Sequence, residues 1–132
     1  MSKRTNYQKN SPNDLLTRAY SLNGVKETLS LYEDWAPSYD RHLETELKYI
    51  APTTIAEMLA DKCSKRDICV LDVGCGTGLV GLQLAKHDFC CMDGLDLSAD
   101  MLAEAYKKGI YRQLFEVDLN DPEIPQQSHY AD

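Results

Sequence analysis

The chain has 132 residues, which is enough for one small domain with a single core. Its composition, 43% hydrophobic and 27% charged, is that of a globular protein rather than a disordered or fibrous one. The net charge of −7 is uneven, because residues 1–18 hold four basic and one acidic side chain while the remainder holds ten and twenty. An acidic body repels a phosphate backbone, which argues against nucleic acid as the main partner of this portion and favours a small or cationic ligand.

The pattern of cysteine and histidine indicates a reducing compartment and no metal site. The cysteines are odd in number and form no C-x-x-C pair: Cys63, Cys69, Cys75, Cys90 and Cys91. The three histidines are scattered without zinc-type spacing. No apolar run approaches the roughly 20 residues of a membrane span, and the first residues lack the apolar core of a secretory signal. We expect a cytoplasmic protein, with the mitochondrial matrix left open by the basic, hydroxyl-rich first residues.

Residues 1–12 are predicted to be a disordered leader, and residues 13–66 an N-terminal helical cap. A first helix runs towards the Asn23–Gly24 pair, and a second ends before Pro37, which is excluded from a helix interior. The third is predicted from apolar residues at helical spacing: Tyr39, Leu43, Leu47 and Ile50. The fourth is predicted to begin at a capping box formed by Thr54 and Glu57. Its buried face is predicted to be Ile55, Met58 and Leu59.

Residues 67–132 change to alternating strands and helices. Short apolar runs predict strands at Ile68–Val73, within Phe89–Asp96 and at about Arg112–Val117, with helices at Gly78–Lys86 and Ala99–Lys108 between them. The second of these helices has Ser98 as a cap, Asp100 in its first turn and Gly109 just past its end. Short links between these elements predict an α/β fold with a parallel sheet and right-handed crossovers.

The stretch "LDVGCGTGLVG", residues 71–81, fits two signatures at the turn between the first strand and the next helix. Gly76, Gly78 and Gly81 satisfy the G-x-G-x-x-G pattern of nicotinamide dinucleotide sites. Asp72 with the glycines at 74, 76 and 78 instead gives D-x-G-x-G-x-G. In both cases glycine permits a close backbone approach, and the free N–H groups of the helix attract electron-rich ligand atoms.

Acidic residues at the strand ends favour the second signature. Asp72 would repel the pyrophosphate of a dinucleotide, but would attract a ligand carrying an ammonium and a sulfonium group. Asp96 ends the second strand and suits the ribose of either cofactor. Asp118 follows the third strand, where it can accept a hydrogen bond from an exocyclic adenine amine. The aromatic segment "YEDWAPSYD", residues 32–40, also has no place in a minimal dinucleotide domain.

These stretches together resemble the class I S-adenosylmethionine-dependent methyltransferases. "LDVGCGTG" is similar to their first motif, "GLDLSADML" to the second and "VDLND" to the third, and the aromatic segment is similar to that of the ubiquinone/menaquinone-biosynthesis type. The resemblance covers roughly Arg18 to Asp121. It implies a Rossmann-like fold, S-adenosylmethionine as cofactor and a small-molecule acceptor.

The resemblance also implies a role for each matching residue. Asp72 would face the methionine amino group, with Gly74, Cys75 and Gly76 along the methionine moiety and Gly78 allowing close helix packing. Asp96 would accept the ribose hydroxyls. The remaining contacts would be Leu97, Met101 and Leu119 against the adenine, Asp118 on its amine, and Tyr32, Trp35 and Tyr39 as a cover over the cofactor.

Structural alternatives remain open for several of these residues. Asp96 and Asp118 also suit turns after strands, and the aromatic residues also suit plain core packing. Cys75 as a reactive nucleophile is the less favoured interpretation.

In the family the sheet has seven strands, so the resemblance implies a fold truncated after the third strand, in the order strand, helix, strand, helix, strand. The acceptor-binding residues would then be missing, which predicts weak or no turnover for this exact chain. A non-catalytic cofactor- or partner-binding fragment is the second hypothesis. A nicotinamide-dependent oxidoreductase is the third.

Overall fold

The structure, a computed structural model, describes residues 12–46 and 48–120. The first part is helical: α1 (Pro12–Tyr20), α2 (Val25–Trp35), a 3-10 turn (Ala36–Ser38), α3 (Tyr39–Arg41), a π-helical turn (His42–Glu46) and α4 (Ala51–Lys62). The second part alternates: β1 (Cys69–Val73), α5 (Leu79–Lys86), β2 (Cys91–Asp96), α6 (Ala99–Lys107) and β3 (Gln113–Glu116). Within the described ranges no helix has the length and apolar character needed to cross a membrane. The predicted leader lies outside these ranges, apart from Pro12, which begins α1.

The three strands form one parallel sheet in the order β1-β2-β3. Cys69 lies opposite Cys91, and Asp96 lies opposite Glu116. The predicted α/β class and parallel crossovers are therefore confirmed. In the described part of the chain β1 occupies one edge of the sheet, and the Val73 side chain at its end is 54% exposed.

Helix α6 has at its two ends the residue types from which the sequence predicted it. The Ser98 hydroxyl accepts a hydrogen bond from the Met101 backbone N–H at 3.2 Å, which satisfies a group that has no partner within the helix. Asp100 lies in the first turn and Lys107 in the last, as the helix dipole favours. The predicted cap is confirmed.

The predicted third helix is interrupted, which corrects the expectation of one continuous element from Tyr39 to Ile50. The backbone N–H of Tyr49 bonds to the carbonyl of Leu43 at 2.7 Å, and Lys48 has a φ of 49°. A left-handed residue, followed by a hydrogen bond from the next N–H back to a carbonyl of the last turn, ends a helix. Ile50 is consequently 74% exposed, while Leu47 lies outside the described residues.

The predicted start of α4 is wrong. Thr54 does not cap this helix, because its backbone N–H already bonds to the carbonyl of Ile50 at 3.2 Å inside it. Pro52 occupies the first turn instead, where its missing N–H leaves no hydrogen bond unmade.

The predicted buried face of α4 is also wrong in part. Ile55 is 49% exposed and Met58 is 60% exposed, whereas Ala56 is fully buried. Helix α4 packs against α5, and a small residue at that contact lets the two helices approach closely.

Two apolar cores of described residues pack the helices against the sheet. The first consists of Leu15, Leu31, Trp35, Leu43 and Leu79. The second consists of Ala56, Leu84, Phe89 and Met92. Because Leu79 is the first residue of α5, the first core seats α1–α3 beside the turn that follows β1. This turn lies at the carboxyl edge of the sheet, where parallel α/β folds bind ligands.

Candidate functional site at the carboxyl edge of the sheet

The glycine loop, residues 74–78, connects β1 to α5 and is fastened to β2. The backbone N–H groups of Gly74 and Cys75 both donate to the carbonyl of Leu95, at 2.8 and 2.9 Å. Gly78 has a φ of 89°, and a Cβ there would lie 2.9 Å from Cε2 of Tyr111. Both the backbone conformation and the space therefore require glycine at position 78.

Asp96 ends β2 and bonds directly to the glycine loop. One carboxylate oxygen accepts from the Gly76 N–H at 2.8 Å and the other accepts from the Ser98 N–H at 2.9 Å. The second contact is the turn-forming role that the sequence left open, and the first joins Asp96 to the loop. A carboxylate has about four acceptor sites, so both oxygens retain capacity for a ligand.

Asp72 lies just before the glycine loop and receives a hydrogen bond from the Tyr111 hydroxyl at 2.6 Å. Burial raises the pKa of Asp72, the Tyr111 hydrogen bond lowers it, and the charge of Asp96 raises it. The pKa of Tyr111 is itself raised, first by burial and then by Asp72, so its hydroxyl stays protonated as a donor. Among the described residues no cation pairs with an ionised Asp72, and a cationic ligand would supply such a partner.

Tyr111 was not predicted as a site residue, although three glycines in the sequence are related to its position. Its ring passes beside Gly78, Gly81 and Gly94, and a Cβ at any of the three would crowd it. Three glycines on separate elements around one aromatic ring are the signal, but only the fold brings them together. Gly81, the third glycine of the dinucleotide pattern, is thus explained by the space that Tyr111 occupies.

Replacing Gly81 by alanine is expected to destabilise the protein, although alanine in a helix normally gains about 1 kcal/mol over glycine. The new methyl group would lie 2.6 Å from Cζ of Tyr111. Overpacking of this kind costs about 1–3 kcal/mol. Urea unfolding measures the change, and adding Tyr111→Phe, which removes the crowded hydroxyl, should recover part of the loss. A Gly81→Ala variant more stable than the wild type would contradict this packing.

Asp118 lies two residues beyond β3 and is half-buried. Its carboxylate accepts from the backbone and side-chain amides of Asn120, at 2.9 and 3.1 Å. This is the turn-forming arrangement that the sequence left open. The neighbouring Val117 N–H donates to the Asp96 carbonyl at 2.9 Å, which keeps the end of β3 beside Asp96. Leu119 is 52% exposed.

The aromatic segment contains one core residue, Trp35, and two half-buried tyrosines that pack against the first core. Trp35 is 3% exposed, stacks edge-on against Tyr39 at 4.9 Å and donates its indole N–H to Nδ1 of His42 at 3.1 Å. Burial raises the pKa of Tyr32 and Tyr39, and the charge of Asp96 adds to both shifts. The structure thus gives Trp35 the core role and brings the two tyrosines near Asp96.

Two further predicted residues lie at the start of α6. Met101 is 1% exposed and Leu97 is half-buried. Leu97 directly follows Asp96, so it shares the edge on which the glycine loop lies.

Cys75 lies inside the glycine loop but is 8% exposed. Burial, with smaller contributions from Asp72 and Asp96, raises the pKa of Cys75 to about 12. The thiolate is the reactive form of cysteine, so Cys75 is held in its inert form.

Iodoacetamide at pH 8 is expected to alkylate the exposed Cys90 at least about ten-fold faster than Cys75, since the thiolate is the nucleophile and Cys75 is buried. Peptide mass spectrometry over a time course measures both rates in one sample. Equal rates at the two positions would restore the nucleophile interpretation of Cys75.

Asp93, like Tyr111, was not predicted from the sequence to have a role near the site. It is fully buried in β2 and pairs with Arg112, whose Nε and terminal nitrogen reach its two oxygens at 3.0 and 2.6 Å. The Gln113 backbone N–H adds a third hydrogen bond at 3.1 Å. These contacts join β2 to the start of β3 and give Asp93 a structural role. The sequence feature that could have indicated this role is an aspartate in the middle of an otherwise apolar strand.

Known proteins are similar to this chain in sequence. A family model described as "Methyltransferase domain" matches residues 70–131. Human methyltransferase-like protein 27 is 33% identical over 109 residues, which is 81% of this chain and 44% of that protein. A protein of Geobacillus sp. (strain WCH70) named as a methyltransferase is 37% identical over 84 residues, 63% of this chain and 33% of that protein.

The chain therefore belongs to the class I methyltransferases and is related to methyltransferase-like protein 27. The predicted family and the Rossmann-like fold are confirmed. The chain spans less than half the length of either of these relatives.

Proposed function

We propose that the glycine loop and the acidic strand ends bind S-adenosylmethionine, and that the protein serves methyl transfer to a small-molecule acceptor. The observation that carries the proposal is the pair of carboxylates on either side of the loop. Asp72 is desolvated and has no cationic partner in the part of the chain that the structure describes, and Asp96 bonds to the loop backbone at Gly76. A ligand with a positive amino-acid end and a ribose matches these two groups.

The residues present fit this cofactor in shape as well as in charge. Side-chain atoms at positions 74 and 76 would meet nothing within 4 Å, so open space adjoins the loop backbone. In the proposed complex Asp72 contacts the ammonium group of the cofactor and Asp96 accepts the ribose hydroxyls. Gly74, Cys75 and Gly76 line the methionine portion, and Gly78 allows the helix to pack close to it. Leu97, Asp118 and Leu119 surround the adenine, with Met101 buried at the start of α6. Tyr32 and Tyr39 cover the site, and Trp35 supports Tyr39 from the core.

When bound, the cofactor supplies an activated methyl group on a sulfonium. The protein's own contribution is to hold the reactants in line and to exclude water, and positioning of this kind can supply roughly 7–11 kcal/mol of a barrier. Burial raises the pKa of Tyr32 and Tyr39, so both phenols are protonated at neutral pH. They therefore line the site as neutral groups and do not act as bases. We assign no general base within the described residues.

Calorimetric titration with S-adenosylhomocysteine, the demethylated product, tests the proposal. We expect saturable binding of one molecule per chain and much weaker binding of NADH under the same conditions. Tighter binding of NADH would favour the nicotinamide hypothesis, which rests on Gly76, Gly78 and Gly81. The packing of Gly81 against Tyr111 already explains that glycine without a dinucleotide.

Turnover is a separate question from binding. If the chain binds S-adenosylhomocysteine but methylates no acceptor, the non-catalytic binding hypothesis holds for this exact chain.

The five free cysteines also suit the proposed reducing compartment, the cytoplasm or the mitochondrial matrix.

A further inference from the structure

Three polar groups from distant parts of the chain meet behind the glycine loop. The Lys108 ammonium donates to Oδ2 of Asp40 at 2.5 Å and to the Thr77 carbonyl oxygen at 2.6 Å. The Thr77 hydroxyl donates to the other oxygen of Asp40. Asp40 ends the aromatic segment, Thr77 lies within the glycine loop, and Lys108 follows α6. We call these residues the polar triad.

The triad is more enclosed than an ordinary surface ion pair. Thr77 is 2% exposed, and the Lys108 side chain is 14% exposed. The neighbouring Lys107 pairs with Glu104 but is 69% exposed. Exposed pairs contribute little because water replaces either partner easily. Around Lys108 water has less access, so removing one member leaves the others poorly satisfied.

The triad joins the two halves of the proposed cofactor site. Tyr39 immediately precedes Asp40, and the charge of Asp96 contributes to the raised pKa of the Tyr39 phenol. Gly76 immediately precedes Thr77 and donates its N–H to the same carboxylate. A displacement of Asp40 relative to Thr77 therefore moves the tyrosine side of the site relative to the loop side.

Apolar contacts alone do not fix this relation. The first core joins Leu79 to the N-terminal helices, but apolar packing is non-directional. Hydrogen bonds to a carboxylate and to a carbonyl have defined distances and angles. The polar contacts therefore set the register in which the aromatic segment lies against the loop.

We propose that Asp40, Thr77 and Lys108 are positioning residues that hold the aromatic segment closed over the glycine loop. The functional part of this proposal rests on the proposed function, since the site being closed is the cofactor site. Without the triad the segment spends part of its time displaced. If the closed form falls to a tenth of the population, apparent affinity falls about ten-fold.

The first test needs no cofactor. Trp35 is the single tryptophan and is 3% exposed, so quenching of its fluorescence by acrylamide reports the packing of the aromatic segment. Lys108→Met should raise the quenching constant at least about two-fold, as local opening predicts. Lys107→Met, the matched control, should leave it unchanged. Unchanged quenching in a folded Lys108→Met protein would overturn the proposal.

The second test measures affinity for S-adenosylhomocysteine in the same variants. Lys108→Met should weaken binding by about ten-fold, and Lys107→Met should bind like the wild type. Increased quenching with unaltered affinity would show that the triad is a structural tie only, and would overturn its positioning role. If the wild type itself does not bind, the proposed function fails, and the quenching comparison still decides whether the triad holds the segment.

A second variant covers the case in which Lys108→Met does not fold. Asp40→Asn keeps the shape of the side chain and removes its charge, and its matched control is Asp100→Asn, at an exposed position outside the aromatic segment. The expected changes in quenching and affinity are the same in direction as for Lys108→Met. Like behaviour of Asp40→Asn and Asp100→Asn would contradict the proposal.

Discussion

Replacing Asp96 by alanine is expected to lower the affinity for S-adenosylhomocysteine by about a hundred-fold or more. In the proposed complex Asp96 accepts two hydrogen bonds from ribose hydroxyls, each worth about 1.5–3 kcal/mol, and the variant would lose both. Every 1.4 kcal/mol is about a factor of ten. The substitution also removes the acceptor of the Gly76 and Ser98 N–H groups, so the loop loses its own support. Calorimetric titration measures the affinity.

The matched control for this prediction is Asp100→Ala. Asp100 lies four residues further on, exposed in the first turn of α6. Its removal costs only the interaction with the helix dipole, about 0.3–1 kcal/mol of stability. If Asp96→Ala binds as tightly as Asp100→Ala, then Asp96 has the turn-forming role alone.

Replacing Asp72 by asparagine is expected to affect stability and binding in opposite directions. Burial is the largest cause of the raised pKa of Asp72. For a carboxyl group whose folded pKa is raised, folding favours the protonated form, so its contribution to stability is present at acid pH and falls as pH rises through the folded pKa. At neutral pH the neutral asparagine avoids this loss, and its amide oxygen can still accept from Tyr111. We therefore expect equal or greater stability at pH 7.

Affinity should fall by about ten- to a hundred-fold in the same variant, because a charge-assisted contact with the ammonium group of the ligand is lost. Urea unfolding between pH 4 and pH 8 should show the stability of the two proteins converging at acid pH. Tyr111→Phe serves as the control that removes the hydrogen bond and keeps the charge. A large loss of stability in Asp72→Asn at pH 7, with affinity intact, would make Asp72 a purely structural residue.

Local signals predicted much of the second half of the fold. Strand ends, the Ser98 cap and the crossovers depend on neighbouring residues and on apolar periodicity, and these are visible in a sequence. The turn between β1 and α5 is predictable for the same reason. Gly76 and the acid at the end of β2, Asp96, lie 20 positions apart, and the structure joins them by a hydrogen bond.

The contacts that support the site are long-range and have no periodicity. Tyr111 and Asp72 are 39 residues apart, and Lys108 and Asp40 are 68 apart. Ile55 and Met58 have the spacing of a buried face, yet Ala56 occupies the contact with α5. The end of the third helix depends on a left-handed lysine, a residue without the usual preference for that conformation. Such features follow from the assembled fold.

Backbone amide NMR of the labelled protein, titrated with S-adenosylhomocysteine, tests the central claim most directly. We expect the largest chemical-shift changes at Gly74, Gly76 and Gly78, at Asp96–Ser98 and at Asp118–Leu119, and their loss in Asp96→Ala. Shifts confined to other surfaces, or a folded protein whose spectrum does not change at saturating ligand, would contradict the assignment of this edge as the cofactor site.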